Sequence, residues 1–386
     1  MRRMKLALSA LALLVSSVSA HAFDTRAGAA FVMDYTSGTV LMAKNADQPL
    51  PPASMSKLMT LYMAFEAVEN GILDLDQELP VSAAAQQYGG STMFLKEGER
   101  VKVEDLIRGI IVLSGNDACV VLAEAMAGTE ARFASQMTMR AQQLGMTNST
   151  FTNSNGWPRA GHRMSMRDLG LIAGKLIKDY PQYYPMFSQK EFLFDPTESA
   201  NRLNRNPLLG LGIGADGLKT GHTQEAGYGL VGSAKQGERR IIFVLSGLQT
   251  AQARAREAEA VTNWAFRQFA QTDLGSAGTK IADAEVSIGA EQTVGMELAE
   301  DVSLLLPVNP IEPLKSEVVY NGPIKAPISK GQEIGELIIS PEGLPEKRIA
   351  LLADRDIAPH GFVSRVVVAA QHLMDRINSG PAPEAS

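Results

Sequence analysis

The pattern of apolar and polar positions divides the chain into two regimes. Residues 28–34 and 39–44 are short apolar runs separated by the turn Tyr35-Thr36-Ser37-Gly38, a pairing that predicts two strands. From 54 to 69 the apolar residues Met55, Leu58, Met59, Leu61, Tyr62, Ala64, Phe65 and Val68 fall almost all round a helix. Such a helix has no face for water and predicts a buried element, ended by Asn70-Gly71. Residues 104–113 and 117–127 predict two more helices that bend at Ser114-Gly115-Asn116. Another is predicted over 165–178, entered through Ser165-Met166-Arg167-Asp168, a near capping box. Three strands follow, 216–221, 227–235 and 240–246, with a turn at Lys235-Gln236-Gly237-Glu238, and then a closing helix, 252–269. Two strands, a helical block, three strands and a helix predict an α+β domain around one antiparallel sheet, assigned to residues 23–270.

The last third reads differently. Gly275, Ser276 and Gly278 mark residues 271–280 as a boundary. From 281 to 360 helical periodicity is weak, and strand runs recur between Gly and Pro: Val302 to Pro307, Val318 to Tyr320, Glu336 to Ile339 and Arg348 to Leu352. A small β-sandwich or barrel is expected there. Residues 362–378 return to helical spacing. Phe362, Val363, Val366, Val367, Ala370, Leu373, Met374 and Ile377 fall on one face, and Arg365, Asp375 and Arg376 on the other. Residues 379–386 are expected to be a disordered tail.

The N-terminus changes the charge and the compartment. Met1-Arg2-Arg3-Met4-Lys5 is a basic start, Leu6 to Val18 is apolar, and Ala20-His21-Ala22 is a small-x-small cleavage site. This predicts a signal peptide over 1–22 and an exported protein. Its removal takes away three basic and no acidic residues, so the net charge moves from −6 to about −9. An acidic chain without a basic stripe argues against nucleic acid as a partner. The lone cysteine, Cys119, has no partner for an internal disulfide and reads as a small buried side chain. None of the five histidines stands at His-x-x-x-His spacing, so neither a metal nor another cofactor is implied.

Three short motifs carry the chemistry: Ser54-Met55-Ser56-Lys57, Ser114-Gly115-Asn116 and Lys219-Thr220-Gly221. Ser54 and Lys57 are one helical turn apart and can share a face. A lysine poorly solvated at a helix N-terminus loses affinity for its proton and becomes able to accept one from the serine. Free N–H groups at that helix start, with one from the strand of the third motif, can form an oxyanion hole, each donor worth roughly 3–4 kcal/mol. Ser114 at a tight bend can relay a proton, and the Asn116 amide can hold a carbonyl. Lys219 adds positive potential, Thr220 can bind a carboxylate, and Gly221 lets a substrate strand approach closely. Each motif alone has an ordinary structural use: a helix cap with a surface lysine, a helix–helix turn, a strand end. In this order they form the set used by active-site serine acyl transferases of D-alanyl peptides and β-lactams, with Ser-Gly-Asn where Ser-Asp-Asn is also found.

Together with the flanking residues Pro52 to Thr60, Asn116 to Cys119, Asp216 to Thr223 and Gly343 to Leu352, the motifs make the chain resemble the D-alanyl-D-alanine carboxypeptidases of the low-molecular-mass penicillin-binding class. The resemblance implies a β-lactamase/transpeptidase-like catalytic domain, a C-terminal all-β domain and an amphipathic helix lying on the outer face of the cytoplasmic membrane. It implies that Ser54 is acylated with Lys57 as base, that Ser114 and Asn116 assist, and that Lys219, Thr220, Gly221 and His222 bind substrate. Arg205 and Arg254 match arginines near the substrate carboxylate, and each is equally compatible with a surface position. The implied substrates are peptidoglycan stem pentapeptides, with β-lactams as covalent inhibitors. A β-lactamase, a DD-endopeptidase and a non-enzymatic wall-binding protein are the competing readings. The first lacks a Glu-x-x-Leu-Asn segment between Asn116 and Lys219.

Overall fold

The helix expected over 54–69 starts as a single tight turn. Ala53–Ser56 is 3-10 and the α-helix proper runs Lys57–Glu69, with Leu58, Leu61, Ala64 and Phe65 wholly buried. The computed structural model describes residues 2–6, 23–198 and 200–359. Among the described residues there are two compact units, 23–267 and a second made of 268–359 with 2–6.

In the first unit five antiparallel strands stand in the order Thr39–Lys44, Ala29–Asp34, Arg239–Leu248, Gly227–Gln236, Ala215–Thr223. Ala215–Thr223, which carries the third motif, is therefore an edge strand. The helices Asn116–Ala127, Glu130–Gln143 and Met166–Asp179 pack with Lys57–Glu69 into one core, in which Leu106, Leu122, Phe133 and Ile172 are fully buried. Removing one such side chain to alanine costs about 2–5 kcal/mol. The cap expected at Ser165 is present, its Oγ accepting from the Asp168 N–H at 3.1 Å. The helix Glu130–Gln143 was not expected. It is capped by Thr129, which accepts from the Arg132 N–H. The expected helix 104–113 is α only over Val103–Arg108. Gly109–Leu113 widens to a π turn, a form that recurs near functional sites. The closing helix is Ala251–Arg267.

The second unit is all β, so the chain as a whole is α+β with a C-terminal β domain. A seven-stranded sheet includes Lys280–Ser287, Thr293–Leu298, Lys315–Tyr320, Glu333–Ser340 and Lys347–Ala353 over a core of Val294, Met296, Val318, Leu337 and Leu351. Phe269–Gly275 pairs with Val302–Pro307, so a strand occupies the first half of the stretch read as a boundary. Arg2–Leu6 pairs antiparallel with Lys315–Tyr320. The apolar run after Leu6, the amphipathic stretch 362–378 and the tail lie outside the described residues. Among those described, no helix is long and apolar enough to cross a membrane.

Candidate active site

The fold brings the three motifs to one place. Ser54 sits in the 3-10 turn, where N–H groups lack intrahelical acceptors. That turn packs closely on the edge strand: a Cβ added to Gly221 would lie 3.0 Å from the Pro52 carbonyl oxygen and 3.2 Å from the Ala53 Cβ, so a larger residue there would press on the turn that carries Ser54. Lys57, wholly buried, places Nζ 2.9 Å from Ser54 Oγ, 2.7 Å from Asn116 Oδ1 and 2.6 Å from the Asn155 carbonyl. A neutral amine has two N–H donors and one lone pair. Two carbonyl oxygens and one hydroxyl serve both forms: the ammonium donates to all three, and the neutral amine donates to the carbonyls and accepts from Ser54 Oγ. Burial, helped by the Arg205 charge against the opposing pull of Asp117 and Glu130, pushes the Lys57 pKa down to about 8.

Across the cleft Lys219 is also buried. Its Nζ donates to Ser114 Oγ at 2.9 Å and to the Thr220 carbonyl at 3.3 Å. Burial and then the charges of Lys57 and Arg205 hold its pKa well below the ordinary lysine value. Ser114 has φ 63°, a left-handed conformation that a serine adopts at a cost, held here by the Lys219 contact and by the turn between two buried segments. Thr220 is nearly buried. His222 is exposed and stacks on Tyr228 with centroids 3.8 Å apart. Arg254 is buried, its guanidinium over the Tyr228 ring and its Nη2 donating to the Arg205 carbonyl oxygen at 3.2 Å, with Nε unpartnered. Arg205 is instead tied to the cleft wall, donating to Ser91 Oγ at 2.6 Å and to the Leu113 carbonyl at 2.9 Å. The guanidinium groups of Arg205 and Arg254, beside Lys219, thus make one end of the cleft cationic. Cys119 is buried behind it, its thiol pushed up to about 12 by burial, and is inert as a nucleophile.

Several positioning residues were not legible in the motifs. The segment 88–95 forms one wall. Asn116 donates from Nδ2 to the Gly89 carbonyl at 2.8 Å, and its N–H donates to the Ser91 carbonyl at 2.7 Å. The buried Asp117 carboxylate accepts from the N–H groups of Met93 and Leu95. Glu130 accepts from Tyr88 Oη at 2.7 Å and from Ser154 Oγ at 2.6 Å, joining this wall to the 153–157 turn whose Asn155 carbonyl holds Lys57. Met93 fills the space beside Gly109, where an added Cβ would lie 2.0 Å from its sulfur. Gly109→Ala is therefore expected to displace Met93, to destabilise by about 1–3 kcal/mol, and to lower the rate of penicillin acylation. Gly210→Ala, which meets nothing within 4 Å, serves as the control. Thermal denaturation and stopped-flow acylation measure the two effects. Equal behaviour of the two variants would show that the Met93 seat does not support the cleft.

A nucleophile hydroxyl on a buried, readily deprotonated amine, a second serine–lysine pair, an edge strand and a cationic end define an active-site serine acyl transferase. The chain belongs to the D-alanyl-D-alanine carboxypeptidase family (peptidase S11), whose model matches residues 16–250, and residues 269–359 match the penicillin-binding protein 5 C-terminal domain. The D-alanyl-D-alanine carboxypeptidase DacC of Escherichia coli strain K12 is 35% identical over 358 residues, 91% of this chain and 88% of that protein. The crystal structure of DacD from Francisella tularensis matches with a TM-score of 0.78 at 27% identity, covering 90% of this chain and 98% of that one. Penicillin-binding protein D2 of Listeria monocytogenes, in its ampicillin-bound form, matches with a TM-score of 0.57 at 33% identity over 63% of this chain and 98% of that one.

Proposed function

We propose that this protein is a serine DD-carboxypeptidase that removes the terminal D-alanine from peptidoglycan stem pentapeptides and is acylated by β-lactams. The observation that carries the reading is the Lys57 amine seated between Ser54 Oγ and two carbonyl oxygens. The peptide lies as an added strand on the free edge of Ala215–Thr223, its C-terminal carboxylate at Thr220 and the cations beyond. Neutral Lys57 takes the Ser54 proton as Oγ attacks the penultimate D-alanine carbonyl. N–H groups of the Ser54 turn and the edge strand face the developing oxyanion. Ser114, held by its hydrogen bond from Lys219, passes its proton to the leaving D-alanine nitrogen as the peptide bond breaks, and the proton that Lys57 took from Ser54 replaces it, so Ser114 is restored and Lys57 is again a neutral amine. Water, deprotonated by the same amine, then releases the tetrapeptide and restores Ser54. Cationic recognition of the carboxylate sets the specificity. A pentapeptide ending in D-alanine amide is expected to lose about 1.5–3 kcal/mol of transition-state stabilisation, roughly 10–150-fold in kcat/KM. D-Alanine or D-alaninamide release, followed by chromatography, measures this, and equal turnover of acid and amide would favour an endopeptidase.

The same reading extends to location. Residues 1–22 are a signal peptide, removed on export, and residues 362–378 hold the protein on the periplasmic face of the membrane through their apolar face. With Arg365 and Arg376 opposed only by Asp375, the hydrophobic contribution dominates and salt releases the protein only in part. Truncation after His360 is expected to make the protein soluble with its activity on small peptides retained. Flotation with anionic vesicles measures it, and full-length protein that stays unbound would place this helix against protein instead.

A further inference from the structure

The third motif lies on an edge strand, and the ladder that holds it is poor in side chains: Leu218 stands opposite Gly232, and Gly221 opposite Gly229. A glycine-rich strand specifies its register weakly, and a shift of one residue turns every side chain to the other face. For Lys219 such a shift would carry Nζ away from Ser114. Both ends of the strand therefore need fixing. At its far end a tight turn does this, with Thr223 Oγ1 accepting from the Ala226 N–H at 3.0 Å. At its near end the ladder is irregular. Ala215 is opposite Ala234 and Gly217 opposite Ser233, so Asp216 is an extra residue, a bulge three positions before Lys219. Bulges recur beside active sites, where they re-aim a side chain.

Arg240, on the strand Arg239–Leu248, reaches across the intervening strand to this bulge. Its Nη1 and Nη2 donate to the two carboxylate oxygens of Asp216 at 2.9 and 2.7 Å, and Nη1 also donates to Ser233 Oγ at 2.6 Å. Tyr184 Oη donates to the same carboxylate at 2.8 Å. Burial, then the Asp216 charge, holds that phenol well above its ordinary pKa, so it stays a donor. One guanidinium thus ties three strands together through a fork that a lysine does not have. The pair is shielded, with Arg240 15% and Asp216 28% exposed. Shielded ion pairs add little net stability over apolar replacements, and their best-attested use is to fix register. The next residue is held too: the Gly217 carbonyl accepts from Asn206 Nδ2 at 2.9 Å. We propose that Asp216 and Arg240 are positioning residues for the reaction: they lock the bulge, and the bulge sets the register that turns Lys219 to Ser114 and Thr220 to the substrate carboxylate. The assignment to the carboxylate rests on the reading of the cleft as a D-alanyl-D-alanine peptide site.

The test compares Asp216→Asn, which keeps the shape but offers one acceptor oxygen in place of two, with Arg240→Lys, which keeps the charge but not the fork. Arg140→Gln is the control, since it breaks a comparably shielded ion pair, Arg140–Glu66, between two helices of the same unit. Each full mature chain is assayed for penicillin acylation and for kcat/KM on pentapeptides ending in D-alanine and in D-alanine amide. In Asp216→Asn acylation is expected to fall on the order of 10–100-fold, as for a reacting group displaced by about 1 Å, and the preference for the acid to fall toward unity. Arg240→Lys is expected to retain part of both, and its acid preference is the deciding value if Asp216→Asn does not fold. Arg140→Gln is expected to lower the denaturation temperature and leave the acid preference intact. A clamp that only stabilises the fold would slow penicillin and both peptides by one common factor with the preference unchanged, and that result overturns the proposal. So does a folded Asp216→Asn that acylates normally. In both cases the carboxypeptidase reading stands. Unmodified protein that takes neither penicillin nor either peptide overturns the reading of the cleft, and the assignment with it.

Discussion

Ser54→Ala is expected to abolish both penicillin labelling and D-alanine release while the protein stays folded. The loss follows from the chemistry. Without Oγ no acyl-enzyme forms, and removal of a serine nucleophile costs on the order of 10⁶ in kcat. The fold is spared because Ser54 is only partly buried and contributes one hydroxyl, so alanine opens no cavity of consequence. Its loss instead leaves Lys57 Nζ with the Asn116 and Asn155 oxygens alone. Thermal denaturation beside a labelled-penicillin gel measures both halves. Labelling that survives the change would put the nucleophile elsewhere.

The second large effect concerns the amine. Lys57→Arg keeps the positive charge and removes the base, since a guanidinium does not deprotonate in proteins. Acylation is expected to fall by about 10²–10⁴-fold, the range of general-base catalysis. The pH profile carries the same argument in the unmodified protein. The reactive form is the neutral amine, and the folded Lys57 pKa is depressed to about 8 by burial. The acylation rate is therefore expected to rise with pH through that value and then to level off, with that rise gone in the arginine variant. Near-normal acylation by Lys57→Arg would mean that another group takes the Ser54 proton.

The sequence reading and the structure part company at identifiable places. Ser54, Lys57, Ser114, Asn116 and Lys219 were legible because their spacing along a helix, a bend and a strand places them locally. The structure joins Lys57 to Ser54 and Asn116, and Lys219 to Ser114, by hydrogen bonds. Arg205 and Arg254 were legible only as candidates. Nothing local distinguishes a buried guanidinium over Tyr228 from a solvated one, and only the fold shows Arg205 tied to Ser91 and Leu113. Asp117 and Glu130 gave no signal at all. Their partners Met93, Leu95, Tyr88 and Ser154 lie more than twenty residues away, so their role exists only once the chain is folded. The helix Glu130–Gln143 was missed because its buried face is only Phe133, Ala134, Met137 and Ala141, half of it alanine.

The β domain shows the same rule. Val302–Pro307 stood out through its consecutive apolar residues, and its observed limits are those expected. Lys280–Ser287 did not, because its inward positions are Ala282 and Ala284, which carry little hydrophobic signal. Phe269–Gly275 is exposed along most of its length and so read as a linker. The π turn at Gly109–Leu113 is equally invisible to periodicity, since an apolar run of five residues fits α and π alike.

The account turns on one covalent bond, and intact-protein mass spectrometry after brief exposure to labelled penicillin, followed by peptide mapping, observes it directly. The expected result is one equivalent of drug, carried by the peptide that contains Ser54 and lost slowly on standing. An unmodified protein, or an adduct on any other residue, would contradict the assignment of Ser54 and Lys57 as the acylating pair.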